Sequence, residues 1–232
     1  GNHLYDRGRY EEAAAAFLKV EQNFPKNSLA PSARMNAGYA YFQAGKHEAA
    51  IAQFEWTGSD PAQKPAADYW NGVSRQTLGQ TEEAARKFQT TIEAAPNGPF
   101  AEKALFQWAD LDLRAGKTDV ARDRFLDLAK RFPKSDLAAE GLHLAADAAI
   151  RGGKPDEAQP LLDQFARAFP KHRLKPQQDL LQGRVFELRG DEANRQKAIG
   201  LYNAVIRESA HAPTQNAARL SLARCLHRAG QS

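Results

Sequence analysis

His143 and Asp147 stand four residues apart, so on a helix they share one face. That spacing suits two metal ligands, or a general base beside the carboxylate that orients it. Either use needs further groups, and no third or fourth ligand of obvious type accompanies the pair. The other histidines, His3, His47, His172, His211 and His227, are scattered. Cys225 and His227 are two apart and point to different faces of a helix, so Cys225 reads as a small buried hydrophobe. As the one cysteine, it excludes an internal disulfide framework and a multi-cysteine metal site. No phosphate loop, GxSxG, HExxH or dinucleotide glycine pattern occurs. The expectation is a protein that is not an enzyme and has no catalytic residue, metal site or cofactor. Asp110–Arg114 and Asp147–Arg151 are i,i+4 pairs placed to bridge along a helix surface.

Composition narrows the remaining classes. Of 232 residues, 42% are hydrophobic and 26% charged, an ordinary globular balance that excludes a disordered chain. No stretch of 18 apolar residues is present to form a membrane-spanning helix. Residues 1–115 hold 12 basic and 14 acidic side chains, and residues 116–232 hold 20 and 14. A basic second half can favour nucleic acid or an acidic partner. No block of five like charges occurs, which argues for a solvated surface and against nucleic acid. A small-molecule substrate is not expected either.

The elements that carry these side chains show themselves as a repeat. Glycines mark short turns at Gly8, Gly45, Gly79, Gly116, Gly153, Gly190 and Gly230, spaced 37, 34, 37, 37, 37 and 40 residues apart. Five residues after the first five come Ala13, Ala50, Ala84, Ala121 and Ala158, and four later Phe17, Phe54, Phe88, Phe125 and Leu162. Seven residues before each turn stands a small residue: Gly1, Gly38, Gly72, Ala109, Ala146, Gly183 or Ala223. Both sides of each turn are patterned as helix, and no alternating strand signal competes. Each unit is therefore a helical hairpin whose small residues let two backbones approach and whose Phe fills the space beside them. Alone it cannot bury its apolar face, so the copies must stack.

Pro25, Pro96, Pro133 and Pro170 follow the second helices as terminators, with Pro61 one place early. Asn27, Ser28 and Ser135 are placed to cap the helices that come next. Two departures carry their own expectations. Extra residues from Asp191 to Lys197 displace Ala198 and Tyr202 by three, predicting a longer turn or a second helix that starts further along. Pro160 lies early in a second helix, predicting a kink or a delayed start there. Both ends read as cut, so the chain is expected to be a piece of a longer protein.

The small residue, turn Gly, Ala, Tyr/Phe and Pro, as in Gly72, Gly79, Ala84, Phe88 and Pro96, resemble the tetratricopeptide repeat over the whole chain. The resemblance implies an all-α, right-handed superhelical solenoid of stacked antiparallel helix pairs, a single domain over 1–232. Its units would run 1–27, 28–61, 62–97, 98–134, 135–171, 172–212 and 213–232. Most units exceed the usual length by three residues. With the Phe132-Pro133-Lys134-Ser135 junction, this resembles the bacterial cell-envelope subgroup that includes BamD and the Tol-Pal-associated periplasmic protein. A periplasmic or outer-membrane-associated location is the corresponding expectation, with a cytoplasmic one left open.

The resemblance also implies function: a non-catalytic scaffold that binds a protein or peptide in a groove lined by the first helix of each unit. Carried over by position from the small residue, the groove places are Met35, Tyr39, Phe42 and Gln43, then Tyr69, Val73, Gln76 and Thr77. Later units give Phe106, Asp110 and Arg114, then His143, Asp147 and Arg151, and finally Leu180, Arg184, Glu187 and Leu188. Aromatic residues and Arg are the usual anchors of such interfaces. The alternative for Tyr39, Tyr69 and Phe106 is packing between adjacent units. The Lys/Asn/Arg clamp with which some members hold a peptide's terminal carboxylate is not matched by Met35, Tyr39 and Tyr69. Alternatives for the whole are a regulatory region of a larger enzyme or signalling protein, or nucleic-acid binding by the basic half.

Overall fold

The computed structural model describes residues 1–24, 26–228 and 230; Pro25, expected to stop a helix, lies outside them. Contacts divide the chain into two compact units, 1–111 and 112–232. The first holds α1 (Asn2–Asp6), α2 (Tyr10–Asn23), α3 (Ala30–Gln43), α4 (His47–Thr57), α5 (Lys64–Thr77) and α6 (Thr81–Ala94). The boundary falls within α7 (Ala101–Arg114). The second unit continues with α8 (Thr118–Arg131), α9 (Asp136–Arg151), α10 (Pro155–Ala168), α11 (Lys175–Arg189), α12 (Glu192–Glu208) and α13 (Ala212–Arg228). Among the described residues there is no strand. Consecutive helices pack on one another from α1 through α6 and from α8 through α13, the expected all-α stack of helix pairs.

The turns explain why the hairpins recur. All seven turn glycines have positive φ, between 71° and 77°. After α3 the Gly45 N–H donates to the Phe42 carbonyl at 3.0 Å and the Lys46 N–H to the Tyr41 carbonyl at 2.9 Å. That double bond pattern satisfies the last carbonyls of a helix and needs a left-handed residue at its centre. The same pair of bonds closes the turns at Gly8, Gly79, Gly116 and Gly153. A following helix then begins two residues beyond each of these glycines.

The small residues and the large apolar residues meet as the repeat requires. A Cβ added at Gly38 would stand 2.5 Å from Phe54 Cε1, and one at Gly72 would stand 2.7 Å from Phe88 Cε1. Phe54, Phe88, Phe125 and Tyr202 are fully buried, as are Ala50, Ala84, Ala121 and Ala198. Each ring thus occupies the space that a side chain on the facing helix would have taken.

Three local expectations change. First, α12 starts on schedule, two residues after Gly190, and the extra residues lengthen it to 17. Asp191 caps it by accepting from the Asn194 N–H at 2.9 Å, so the insertion is absorbed as helix rather than loop. Second, Ser135 caps α9 as expected, but α3 begins only at Ala30 after Leu29. Asn27 instead accepts from the Leu29 N–H at 2.8 Å, a local turn that competes with capping. Third, the delayed start expected at Pro160 does not occur: α10 begins at Pro155 and runs through Pro160. Pro160 and Asp156 are both exposed, which puts the missing donor on the solvent face of the helix.

Candidate functional site

Register on the first helices decides which expected groove residues reach solvent. In the first unit, Met35 and Tyr69, three places before the small residue, are only 3% and 7% exposed. Met35 packs against Ala50, Phe54 and Ala67, spanning its own hairpin and the next. Tyr69 sits 6.0 Å from the Phe88 ring and 5.3 Å from Phe100, centre to centre. These side chains fill the seam between hairpins, so they serve the core and present almost no surface. Tyr39 and Phe42, one and four places after Gly38, stay half-buried, and Phe106 and Asp110 on α7 do too.

Trp70, not among the expected groove residues, completes a half-buried aromatic ledge in this unit. Its ring centre lies 5.3 Å from Tyr39, 5.2 Å from Phe42 and 5.5 Å from Tyr69, all edge-to-face. Its signal was its adjacency to Tyr69: one residue along the helix turns the side chain by about 100°. Burial pushes the Tyr39 hydroxyl's pKa up to about 12, with a bond to Trp70 pulling the other way. It therefore remains a neutral hydrogen-bonding group. Beside Tyr39 opens a cavity of about 250 Å³ lined by Asn2, Tyr5, Asp6, Phe17 and Asn36. On the same first-helix row the buried Asp68 is held by Lys64 at 2.6 Å and Lys87 at 2.9 Å. Both its oxygens are engaged, which marks it as structural.

In the second unit, His143, Asp147, Arg184 and Glu187 are half-buried and Arg114 and Arg151 exposed. Leu180, three before Gly183, is again in the core, against Ala198 and Tyr202. The expected Asp147–Arg151 bridge forms at 3.0 Å, and Arg184 from the next first helix approaches the same carboxylate at 3.5 Å. Glu187 accepts from the Tyr202 hydroxyl at 3.0 Å and pairs with Arg228 at 3.4 Å and Arg224 at 3.7 Å. These arginines, with Ile150 and Leu188, line a cavity of about 320 Å³. Burial, then the Glu187 charge, raises the Cys225 thiol's pKa, which keeps it protonated.

His143 Nδ1 lies 3.3 Å from Gln178 Nε2, and among the described residues no three His, Cys, Asp or Glu side chains gather as a metal-binding group. Burial lowers the His143 pKa below its ordinary 6.5; Asp147 and Glu140 oppose this, and Arg184 reinforces it. The unfolded chain then binds a proton more readily than the folded one below about 6.5. The stability this buried neutral ring contributes is full above that value and is lost as pH falls through the folded pKa. Urea midpoints between about pH 7.5 and about pH 5 should drop for the native chain, and His143→Gln should flatten part of that slope. An identical slope in the variant would refute the assignment.

No described helix is long and apolar enough to cross a membrane. Two models of the tetratricopeptide repeat match the chain, one over residues 1–64 and 143–194 and the other over 103–135. No curated protein matches it significantly. Among solved structures, it is similar to YrrB, described as a tetratricopeptide repeat protein with an unusual peptide-binding site. That pair is 15% identical with a TM-score of 0.64, covering 89% of this chain and 99% of the other. Pseudomonas aeruginosa pilF is 14% identical with a TM-score of 0.62, covering 93% and 91%. A tetratricopeptide repeat protein of Parabacteroides merdae is 15% identical with a TM-score of 0.60, covering 95% of both chains. At such identities the likeness is one of fold.

Proposed function

The chain belongs to the tetratricopeptide repeat family, and from that premise we propose that it is a non-catalytic scaffold binding a protein or peptide along its first helices. The aromatic ledge of Tyr39, Phe42 and Trp70 carries this reading. Three rings packed edge-to-face and only partly covered by the core leave an apolar strip at the surface on which a partner's side chains can anchor. Phe106 and Asp110 add to the proposed contacts of the first unit; in the second unit, taken by itself, Arg114, His143, Asp147, Arg151, Arg184 and Glu187 are the proposed contacts. Edge-on rings offer flat contact area at low entropic cost, which suits a helical or extended peptide. The Phe-Pro-Lys junctions support placing the scaffold in a bacterial cell-envelope assembly.

The test needs no known partner. Random peptides displayed on phage and selected against the whole chain should yield binders that compete for one surface. Phe42→Ala with Trp70→Ala should weaken the best of them about tenfold or more. Trp56→Ala, on a second helix, should leave binding unchanged. Unchanged affinity in the double variant, with helicity and urea midpoint intact, would overturn the reading. If the double variant loses helicity, Phe42→Ser alone makes the same comparison.

A further inference from the structure

The cavity between α9, α11 and α13 differs in chemistry from the aromatic ledge. Four arginines reach it from three successive first helices, opposed by two carboxylates. Asp147 is shared by Arg151 and Arg184, and Glu187 by Arg224 and Arg228. Two positive charges are therefore left uncompensated within one concavity. Three of the four pairings are 3.4–3.7 Å long, beyond the roughly 2.7–2.9 Å of a strong charge-assisted bond. Each guanidinium carries five N–H donors, and most of these are not used by the two carboxylates. Arg184 Nε is buried with no hydrogen-bond partner. Glu187 itself is pinned by the Tyr202 hydroxyl and is 11% exposed, so it holds the arginines in place and cannot swing out to meet a cation.

We propose that this cavity receives the acidic side chains of a peptide segment of the bound partner. The inference rests on the first-helix face being the binding surface and adds the chemical class of the ligand. Arginine forks match carboxylates bidentately, and each incoming Asp or Glu meets a guanidinium already oriented by Asp147 or Glu187. Ile150 and Leu188 give the peptide's aliphatic parts an apolar wall. A nucleic acid fits less well. Its continuous phosphates would pass the fixed carboxylates of Asp147 and Glu187, and no aromatic side chain lines the cavity to stack a base.

Fluorescence anisotropy of labelled probes on the whole chain tests this. The probes are a dodecapeptide alternating Asp and Glu with Ala, its Lys counterpart, and a single-stranded oligothymidine of equal charge. The acidic peptide should bind, weaken with salt, and lose about tenfold or more in Arg224→Gln with Arg228→Gln. Both side chains are about half exposed or more and Glu187 keeps its bond from the Tyr202 hydroxyl, so the double variant should stay folded, with its urea midpoint measured alongside. If it does not, Arg151→Gln, 64% exposed, replaces it. Unchanged affinity in the variant, or tighter binding of the oligothymidine, would overturn the proposal. The phage-selected peptides separate the two levels. Binders that need Trp70 but carry no Asp or Glu excess sink the acidic ligand and keep the scaffold. An absence of binders dependent on either surface sinks both.

Discussion

Phe88→Ala should lower the stability of the first unit by about 3–5 kcal/mol. The ring is fully buried, with Tyr69 6.0 Å away and Ala84, Ala104 and Leu111 in the same cluster. Truncation removes a whole aromatic side chain from water-free surroundings and leaves a cavity against Gly72, which has no side chain to fill it. Helices on both sides are held by their turns, so collapse into the gap is limited. A domain is stable by only about 5–15 kcal/mol, so this one change removes a large share. Because stability in stacked hairpins spreads through nearest neighbours, the loss should appear first at α5 and α6. Urea denaturation gives the total, and amide hydrogen exchange gives its location. A loss below about 1 kcal/mol would mean that the ring does not brace the hairpin.

The converse change adds atoms where none fit. Gly183→Val should cost about 1–3 kcal/mol or more by overpacking. A Cβ there would stand 2.5 Å from Tyr202 Cε1, and a β-branched side chain adds two further methyl groups. Tyr202 cannot step aside: it is fully buried and its hydroxyl is tied to Glu187. Gly200 in α12 supplies the contrast, since nothing lies within 4 Å of a Cβ added to it. Gly200→Ala should therefore stabilise by about 0.5–1 kcal/mol through helix propensity alone. Thermal or urea midpoints that move in opposite directions for these two glycines bear out the packing account. A shared direction would refute it.

The hairpin register was legible in the residues because its causes are local. A left-handed turn needs Gly whatever surrounds it, and all seven spaced glycines take positive φ. Small residue and ring stand at fixed offsets on two helices joined by that turn, so Gly38–Phe54 and Gly72–Phe88 follow from counting. The end of a helix at each Phe-Pro junction is likewise a matter of neighbouring bonds. Where the insertion goes was open in the sequence, since Asp191 could begin a loop or cap a helix; the structure uses it as a cap, with the Asn194 N–H donating to it at 2.9 Å, and the extra residues become helix.

Which first-helix side chains stay open depended on tertiary structure. Met35 and Tyr69 share the expected face with Tyr39, but the next hairpin covers them and leaves Trp70 only partly covered. The gathering of Arg151, Arg184, Arg224 and Arg228 on Asp147 and Glu187 also joins residues from three hairpins. Periodicity fixes a side chain's angle about its own helix axis. What lies opposite that angle is set by the offset between stacked hairpins, and only the folded chain contains that quantity.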